Sequence, residues 1–110
     1  MVENTTITVG AVHKVRAKEN ITIVDIRKKP DDRQIPGSIR YDGEMLASSE
    51  KPPFGEDATV IVYCGSGNSC QRVAAQLREK GIDARAIDGG YAAWKEAGFS
   101  TEPISEKQSL

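Results

Sequence analysis

Ala58-Thr59-Val60-Ile61-Val62-Tyr63-Cys64-Gly65-Ser66-Gly67-Asn68-Ser69-Cys70-Gln71 is a nearly continuous apolar run that stops at a cysteine, a glycine-rich turn and a helix-capping pattern. A strand buried on both faces of a parallel sheet reads this way, because it has no solvent side on which polar residues would alternate. Asn68 is the expected N-cap, with Gln71 three residues on. Val73, Ala74 and Leu77 then form an inward stripe, and Arg78, Lys80 and Gly81 close the helix.

Working outward from this pair, Thr6-Ile7-Thr8-Val9 alternates polar and apolar as a short half-buried strand, with Gly10 after it. Ala11 to Lys18 reads as a modest helix with Val12 and Val15 inward. Ile21-Thr22-Ile23-Val24-Asp25-Ile26 is a second β-branched strand, halted at Arg27-Lys28-Lys29-Pro30. Pro30, Pro36, Gly37, Gly43, Pro52 and Pro53 break up the stretch from there to Pro53, leaving room for a short strand near Ser38 to Arg40 and a short helix near Glu44 to Ser48. On the other side, Ala84 to Ile87 is a further strand, and Gly89-Gly90 leads into a last helix carrying Tyr91, Trp94 and Ala97. Alternating strands and helices predict an α/β fold, a mostly parallel sheet of about five strands with helices on both faces.

The 110 residues are 38% apolar and 28% charged, which fits one domain spanning 1–110 with its core at about 5–103. Fifteen basic against sixteen acidic residues give a net charge of −1, so no general field draws this surface to nucleic acid or anionic lipid. The polar start Met1-Val2-Glu3-Asn4-Thr5 and the lack of any apolar run of ~18 to 20 residues predict neither anchor nor secretory signal. A cytoplasmic protein without nucleic-acid or membrane partners is expected. Two cysteines, Cys64 and Cys70, are too few for the disulfide framework of a small secreted domain, and in a reducing compartment they point to chemistry or burial. With His13 they fall one ligand short of a closed zinc site, and their spacing exceeds the usual two to four residues, so no metal is expected. His13 and the basic run Arg27-Lys28-Lys29 read as solvated groups; Tyr91 and Trp94 read as core.

In open α/β sheets, ligands bind beyond the carboxyl ends of the strands, which is where residues 64–70 fall. Gly65 and Gly67 relax the backbone, so that inward amide N–H groups can form an anion cradle ending at a helix N-terminus. A sulfur at its centre is held as thiolate, the nucleophilic form, and Cys64 is activated without a histidine. The plainer reading makes Cys64 a small buried hydrophobe and the glycines a tight turn. A dinucleotide site would need glycine where Cys70 stands and a second mononucleotide half, and a Walker loop would need a Gly-Lys-Ser/Thr ending that this loop lacks.

Four stretches in order resemble the single-domain rhodaneses. Ile23-Val24-Asp25-Ile26-Arg27 is similar to that family's apolar-Asp-x-Arg strand, and Ile35-Pro36-Gly37-Ser38-Ile39 to its Ile-Pro-Gly-Ala-Ile turn. Tyr63-Cys64-Gly65-Ser66-Gly67-Asn68-Ser69 lies where its Tyr-Cys-x-x-Gly-x-Arg loop would be. Asp88-Gly89-Gly90-Tyr91-Ala92-Ala93-Trp94, with Ala97-Gly98-Phe99 after it, resembles its Gly-Gly-x-x-x-Trp and Ala-Gly-aromatic ending. The resemblance implies a sulfurtransferase that takes sulfane sulfur from thiosulfate, a persulfide or polysulfide as a Cys64 persulfide and passes it to a thiol or other nucleophile. It implies Cys64 as the catalytic residue, and Gly65, Ser66, Gly67, Asn68, Ser69 and Cys70 as the substrate-binding loop. Asp25 and Arg27 would support that loop, with Asp25 orienting it through hydrogen bonds or else simply ending its strand, and no cofactor is needed. The partners are then a small-molecule sulfur donor and a thiol or small redox protein as acceptor.

Two departures bear on this expectation. Ser69 stands where the family loop commonly has an Arg that grips an anionic donor, which argues against thiosulfate as the natural donor. Arg27 or Arg72 is offered as a replacement cation, each with a solvated surface role as the alternative. Gln34 replaces the usual His and is read as structural. Two rival functions are a thiol redox protein or arsenate-reductase-like enzyme in which Cys70 resolves chemistry begun at Cys64, and a non-catalytic binding module. For the redox rival, Cys70 in the first helical turn is expected to be a second thiolate; against it stands Cys70 as packing in the helix interior. A phosphatase of the Cys-x5-Arg type would lack its guanidinium, since Cys70 occupies that position.

Overall fold

Strand β5, Thr59–Tyr63, lies at the centre of a five-stranded parallel sheet. The computed structural model describes residues 6–15, 20–27, 32–41, 43, 45, 59–65 and 69–104. Along the chain these form β1 (Thr6–Ile7), α1 (Val9–Val15), β2 (Ile21–Asp25), β3 (Arg33–Gln34) and β4 (Ile39–Arg40), then β5. After β5 come α2 (Ser69–Glu79), β6 (Asp83–Ile87), α3 (Gly90–Glu96) and β7 (Glu102–Pro103). The sheet order is β1-β6-β5-β2-β4, with all four pairings parallel.

Both faces of β5 are covered, as its unbroken apolar run requires. Val60 and Val62 pack with Val24, Ile26, Ala84 and Ala86 under the Val73, Ala74 and Leu77 stripe of α2. Ile61 and Tyr63 point the other way, into a cluster with Ile23, Ile35 and Ile87, covered by Val12 of α1 and Tyr91 and Trp94 of α3. Helices thus lie on both faces of the sheet. Register aligns Asp25 with Tyr63 at the carboxyl ends of β2 and β5. The chain leaves β2 for its neighbour β4 on one side and leaves β5 for β6 on the other, so the switch point of the sheet lies between these two ends.

The amino-terminal segment differs from its sequence reading. Thr8 does not extend β1: its Oγ1 accepts the Ala11 N–H at 3.2 Å and its carbonyl accepts the Val12 N–H at 3.0 Å. Thr8 is therefore an N-cap, a role worth about 1 kcal/mol, and Val9 and Gly10 belong to the helix. The far end of the expected helix, residues 16–18, lies outside the described residues. Gly43 and Met45 are helical, while the rest of the helix expected near Glu44 to Ser48 also lies outside them. At the end of α2, Gly81 takes a left-handed φ of 86°, with its N–H on Arg78 and the Ile82 N–H on Leu77, closing the helix as its sequence predicts. Ala97, expected within the last helix, is its C-cap and is exposed.

A two-stranded antiparallel ribbon of β3 and β7 has no counterpart in the sequence reading. Gln34 is buried there, and its Nε2 donates to Glu102 Oε2 at 2.8 Å and to the Ser38 carbonyl at 3.3 Å. This is the structural role expected for Gln34. It ties the turn after β3 to the carboxyl-terminal strand.

Candidate active site

Tyr63 ends β5 with its phenol spent on local structure. The hydroxyl accepts the Ile35 N–H at 3.2 Å and donates to Ser38 Oγ at 3.0 Å, fastening the strand end to the Ile35–Ser38 turn. Burial, reinforced by the negative charge of Asp25, pushes the phenol well above its ordinary range, so it stays protonated. Cys64 is the next residue and is buried, with 7% of its surface exposed.

The first turn of α3 holds the chain as it leaves β5. Its free N–H groups need acceptors, and Tyr91 donates to the Cys64 carbonyl at 2.8 Å while Ala92 donates to the Gly65 carbonyl at 3.1 Å. Gly89 and Gly90 make this approach with left-handed φ values of 79° and 62°. At Gly89 a Cβ would sit 2.6 Å from the Ala93 Cβ, so space as well as backbone angle demands glycine. Gly65, by contrast, does not take a left-handed φ, and a Cβ there would meet nothing within 4 Å. The relaxed backbone expected of Gly65 is not used. Ser66, Gly67 and Asn68, with the expected N-cap and most of the expected amide cradle, lie outside the described residues. Ser69 is the first residue of α2.

Cys70, in the first turn of α2, is wholly buried, and its sulfur lies 3.5 Å from that of Cys64 and 4.0 Å from the Ile87 carbonyl. Neither cysteine is in a disulfide. The hydrogen bond with Cys64, then burial, push the Cys70 thiol far above its ordinary range. The expected second thiolate is therefore corrected: the helix terminus does not outweigh a sulfur neighbour and an apolar setting, and Cys70 keeps its proton beside Cys64. Both sulfurs belong to the cluster on the α2 face of the sheet.

Asp25 and Arg27 come together on the opposite face. Asp25 is fully buried; Arg27 Nε lies 3.0 and 3.1 Å from its two oxygens, and Arg27 Nη2 is 2.7 Å from Oδ2. Arg27 N–H adds a bond of 2.9 Å to Oδ1, and Arg40 Nη1 reaches Oδ2 at 3.2 Å. The Arg27 guanidinium lies 4.1 Å from the centre of the Tyr91 ring, a cation–π contact made in a largely dry setting. Arg27 is only 8% exposed, which corrects its reading as a solvated turn residue. Lys28 and Lys29 lie outside the described residues. Arg72 is exposed on the first turn of α2.

Tyr91 joins the two faces, a role beyond the core position its sequence suggests. Its ring lies under Arg27 and its backbone N–H holds the Cys64 carbonyl. The one legible signal for this is Gly89-Gly90 directly ahead of it. Trp94 is core, with its indole N–H on the Ser100 carbonyl at 2.9 Å. His13 stacks on Phe99 at 4.3 Å between ring centres. Among the described residues, no three His, Cys, Asp or Glu side chains gather as a metal site, and no helix is long and apolar enough to cross a membrane.

Residues 8–97 match the rhodanese-like domain family. The thiosulfate sulfurtransferase GlpE of Pseudoalteromonas translucida is 36% identical over 85 residues, covering 73% of this chain and 78% of that protein. An uncharacterized protein of Synechocystis, slr1261, is 29% identical over 89% of this chain, which spans 56% of that protein's length. Among solved structures, a rhodanese-related protein of Thermoplasma volcanium superposes with a TM-score of 0.75 at 21% identity, over 88% of this chain and 96% of that one, a likeness of fold. With the matched segment running from the cap of α1 to the end of α3, the chain belongs to the rhodanese-like domain family.

Proposed function

We propose that the protein is a rhodanese-type sulfurtransferase whose covalent sulfur carrier is Cys64. The observation that carries this reading is the sulfur pair at the carboxyl end of the central strand: Cys64 at the switch point of the sheet, with the protonated Cys70 thiol 3.5 Å away. In the resting pair Cys64 Sγ–H donates to Cys70 Sγ, and the head of α2 adds the positive end of a helix, which favours the Cys64 thiolate once that proton leaves. Membership of the family, and relatives named as thiosulfate sulfurtransferases, support the same chemistry.

In the first half-reaction the Cys64 thiolate attacks the outer, sulfane sulfur of the donor. A sulfur–sulfur bond forms to Cys64 as the donor's own sulfur–sulfur bond breaks, and the bonding pair leaves with the remainder, sulfite when the donor is thiosulfate. In the second, a nucleophilic acceptor such as a thiolate takes the outer sulfur and the Cys64 thiolate is restored. The double displacement needs a small-molecule sulfur donor and a thiol or small redox protein acceptor, with no cofactor. It fits the cytoplasm, where thiols are kept reduced.

Donor choice is set by what the loop can grip. Arg27 and Arg40 are engaged with Asp25, and Ser69 stands at the loop's usual arginine position, so thiosulfate loses the guanidinium fork for its sulfonate oxygens, which persulfides and polysulfide do not carry. Persulfides and polysulfide are thus the favoured donors over thiosulfate. The test is thiocyanate formation from cyanide with polysulfide or thiosulfate as donor. Wild type forms thiocyanate above the uncatalysed rate and Cys64→Ser does not; an inactive, folded wild type with every donor would leave the binding-module reading in its place.

A further inference from the structure

We infer that Cys70 is a resolving thiol, which discharges the sulfur carried by Cys64 as hydrosulfide and gives the protein a sulfane-reducing activity besides sulfur transfer. This rests on the reading of Cys64 as the sulfur carrier. It takes up a thiol, described beside Cys64, that the double displacement does not consume.

The geometry is that of a reaction, not only of packing. Cys70 Sγ lies 3.5 Å from Cys64 Sγ, the separation of a near-attack pair, and no intervening group is needed for the two to react. Cys70 is fully buried while Cys64 keeps a small exposed surface, so an external thiol meets Cys64 first and Cys70 is held for internal use. Neither is in a disulfide at the start. The first turn of α2 supplies Cys70 and the end of β5 supplies Cys64, two elements packed on each other in the same apolar cluster.

The step balances within the site. Once sulfur is loaded, the inner sulfur of Cys64 is neutral and the outer sulfur carries the negative charge. The outer sulfur first takes the Cys70 proton; the Cys70 thiolate so formed attacks the inner sulfur, the bond between inner and outer sulfur breaks, and the outer sulfur leaves with the bonding pair as hydrosulfide. A Cys64–Cys70 disulfide remains. Two thiols are oxidised and one sulfane sulfur is reduced to sulfide, so no outside oxidant enters. The site is reset by a dithiol reductant that attacks the exposed member, Cys64, and frees Cys70. The proton that burial and Cys64 keep on Cys70 is the one the departing sulfur needs.

The experiment loads fully reduced protein, without oxygen, with one equivalent of inorganic polysulfide sulfur, desalts it at once and records intact mass, hydrosulfide released after desalting, and alkylation of each cysteine. Wild type is expected to lose two hydrogens, release about an equivalent of hydrosulfide without added thiol, and show Cys70 blocked to alkylation after unfolding until a dithiol is added. Cys70→Ser and Cys70→Ala are both expected to hold a stable added sulfur on Cys64 and to release hydrosulfide only with external thiol. Wild type that holds a stable Cys64 persulfide with Cys70 free to alkylate after unfolding overturns the resolving role while leaving the sulfur carrier intact. No sulfur uptake in wild type or in either variant, with circular dichroism unchanged, overturns the carrier reading and this inference together. Should both variants fail to fold, the wild-type alkylation map decides by itself.

Discussion

The backbone N–H of Tyr91 donates to the carbonyl of Cys64 at 2.8 Å, so the start of α3 is fastened to the exit of the central strand. Gly89 makes that approach with a left-handed φ, and any side chain there meets Ala93. Gly89→Ala is expected to cost at least ~1 kcal/mol from the backbone angle alone, with a further loss from the clash, and to lower sulfur transfer as the Cys64 carbonyl loses its donor. Urea denaturation and the thiocyanate assay check this. Unchanged midpoint and rate would show that α3 does not hold the site.

Arg27 and Asp25 form a buried pair whose members depend on each other. Arg27→Met leaves Asp25 fully buried with Arg40 as its remaining charged partner at 3.2 Å, and is expected to cost about 3–5 kcal/mol. The double substitution Asp25→Asn with Arg27→Met is expected to recover much of that loss, because no charge is left fully buried: Arg40 loses the carboxylate but is partly exposed to water. Denaturation midpoints of the two single variants and the double variant measure the coupling.

Ser69→Arg is expected to raise kcat/KM for thiosulfate by about tenfold or more, the equivalent of one charge-assisted hydrogen bond of ~1.5 kcal/mol. Transfer from polysulfide should change little, since that donor lacks the sulfonate oxygens a guanidinium fork would grip. Equal gains with both donors would mean that the new charge acts on the thiolate, not on the donor.

Cys70 keeps its proton in the folded chain far above the pH at which an unfolded thiol loses it, chiefly through Cys64 and then through burial. Between those two values the unfolded chain binds fewer protons than the folded one, so raising the pH favours unfolding. This contribution is fully present below about pH 8.5 and declines above it by up to ~1.4 kcal/mol per pH unit. Cys70→Ala should flatten that limb in urea midpoints measured between about pH 8 and pH 10. The buried Tyr63 phenol acts in the same direction in both proteins and cancels in the comparison. Parallel limbs would contradict the protonated-thiol assignment.

The central strand and α2 are legible in the sequence because burial on both faces leaves an unbroken apolar run, and because Gly81 stops the helix by a local rule. Strands β3 and β7 are not, since two residues carry no period to read and their pairing joins distant parts of the chain. Thr8 alternates correctly for a strand, but its side chain serves the backbone of α1 instead. At the site, Cys64 stands out by its place after the strand. What encloses Arg27 does not: its neighbours Lys28 and Lys29 suggest solvent, whereas Asp25 and Tyr91 bury it, and Tyr91 comes from far along the chain. The state of Cys70 escapes a sequence reading for a similar reason, because a helix terminus is visible in sequence and the sulfur 3.5 Å away is not.

Peptide mass mapping of the protein after brief anaerobic loading with polysulfide and quenching in an alkylating agent tests Cys64 as the sulfur carrier most directly. Mapping in the Cys70→Ser background keeps the loaded sulfur from being discharged internally. One added sulfur is expected on the peptide bearing Cys64, removed as thiocyanate by cyanide, and no added sulfur in Cys64→Ser. A folded protein whose Cys64 peptide gains no sulfur, or that transfers sulfur to cyanide as fast after Cys64→Ser as before, would contradict it.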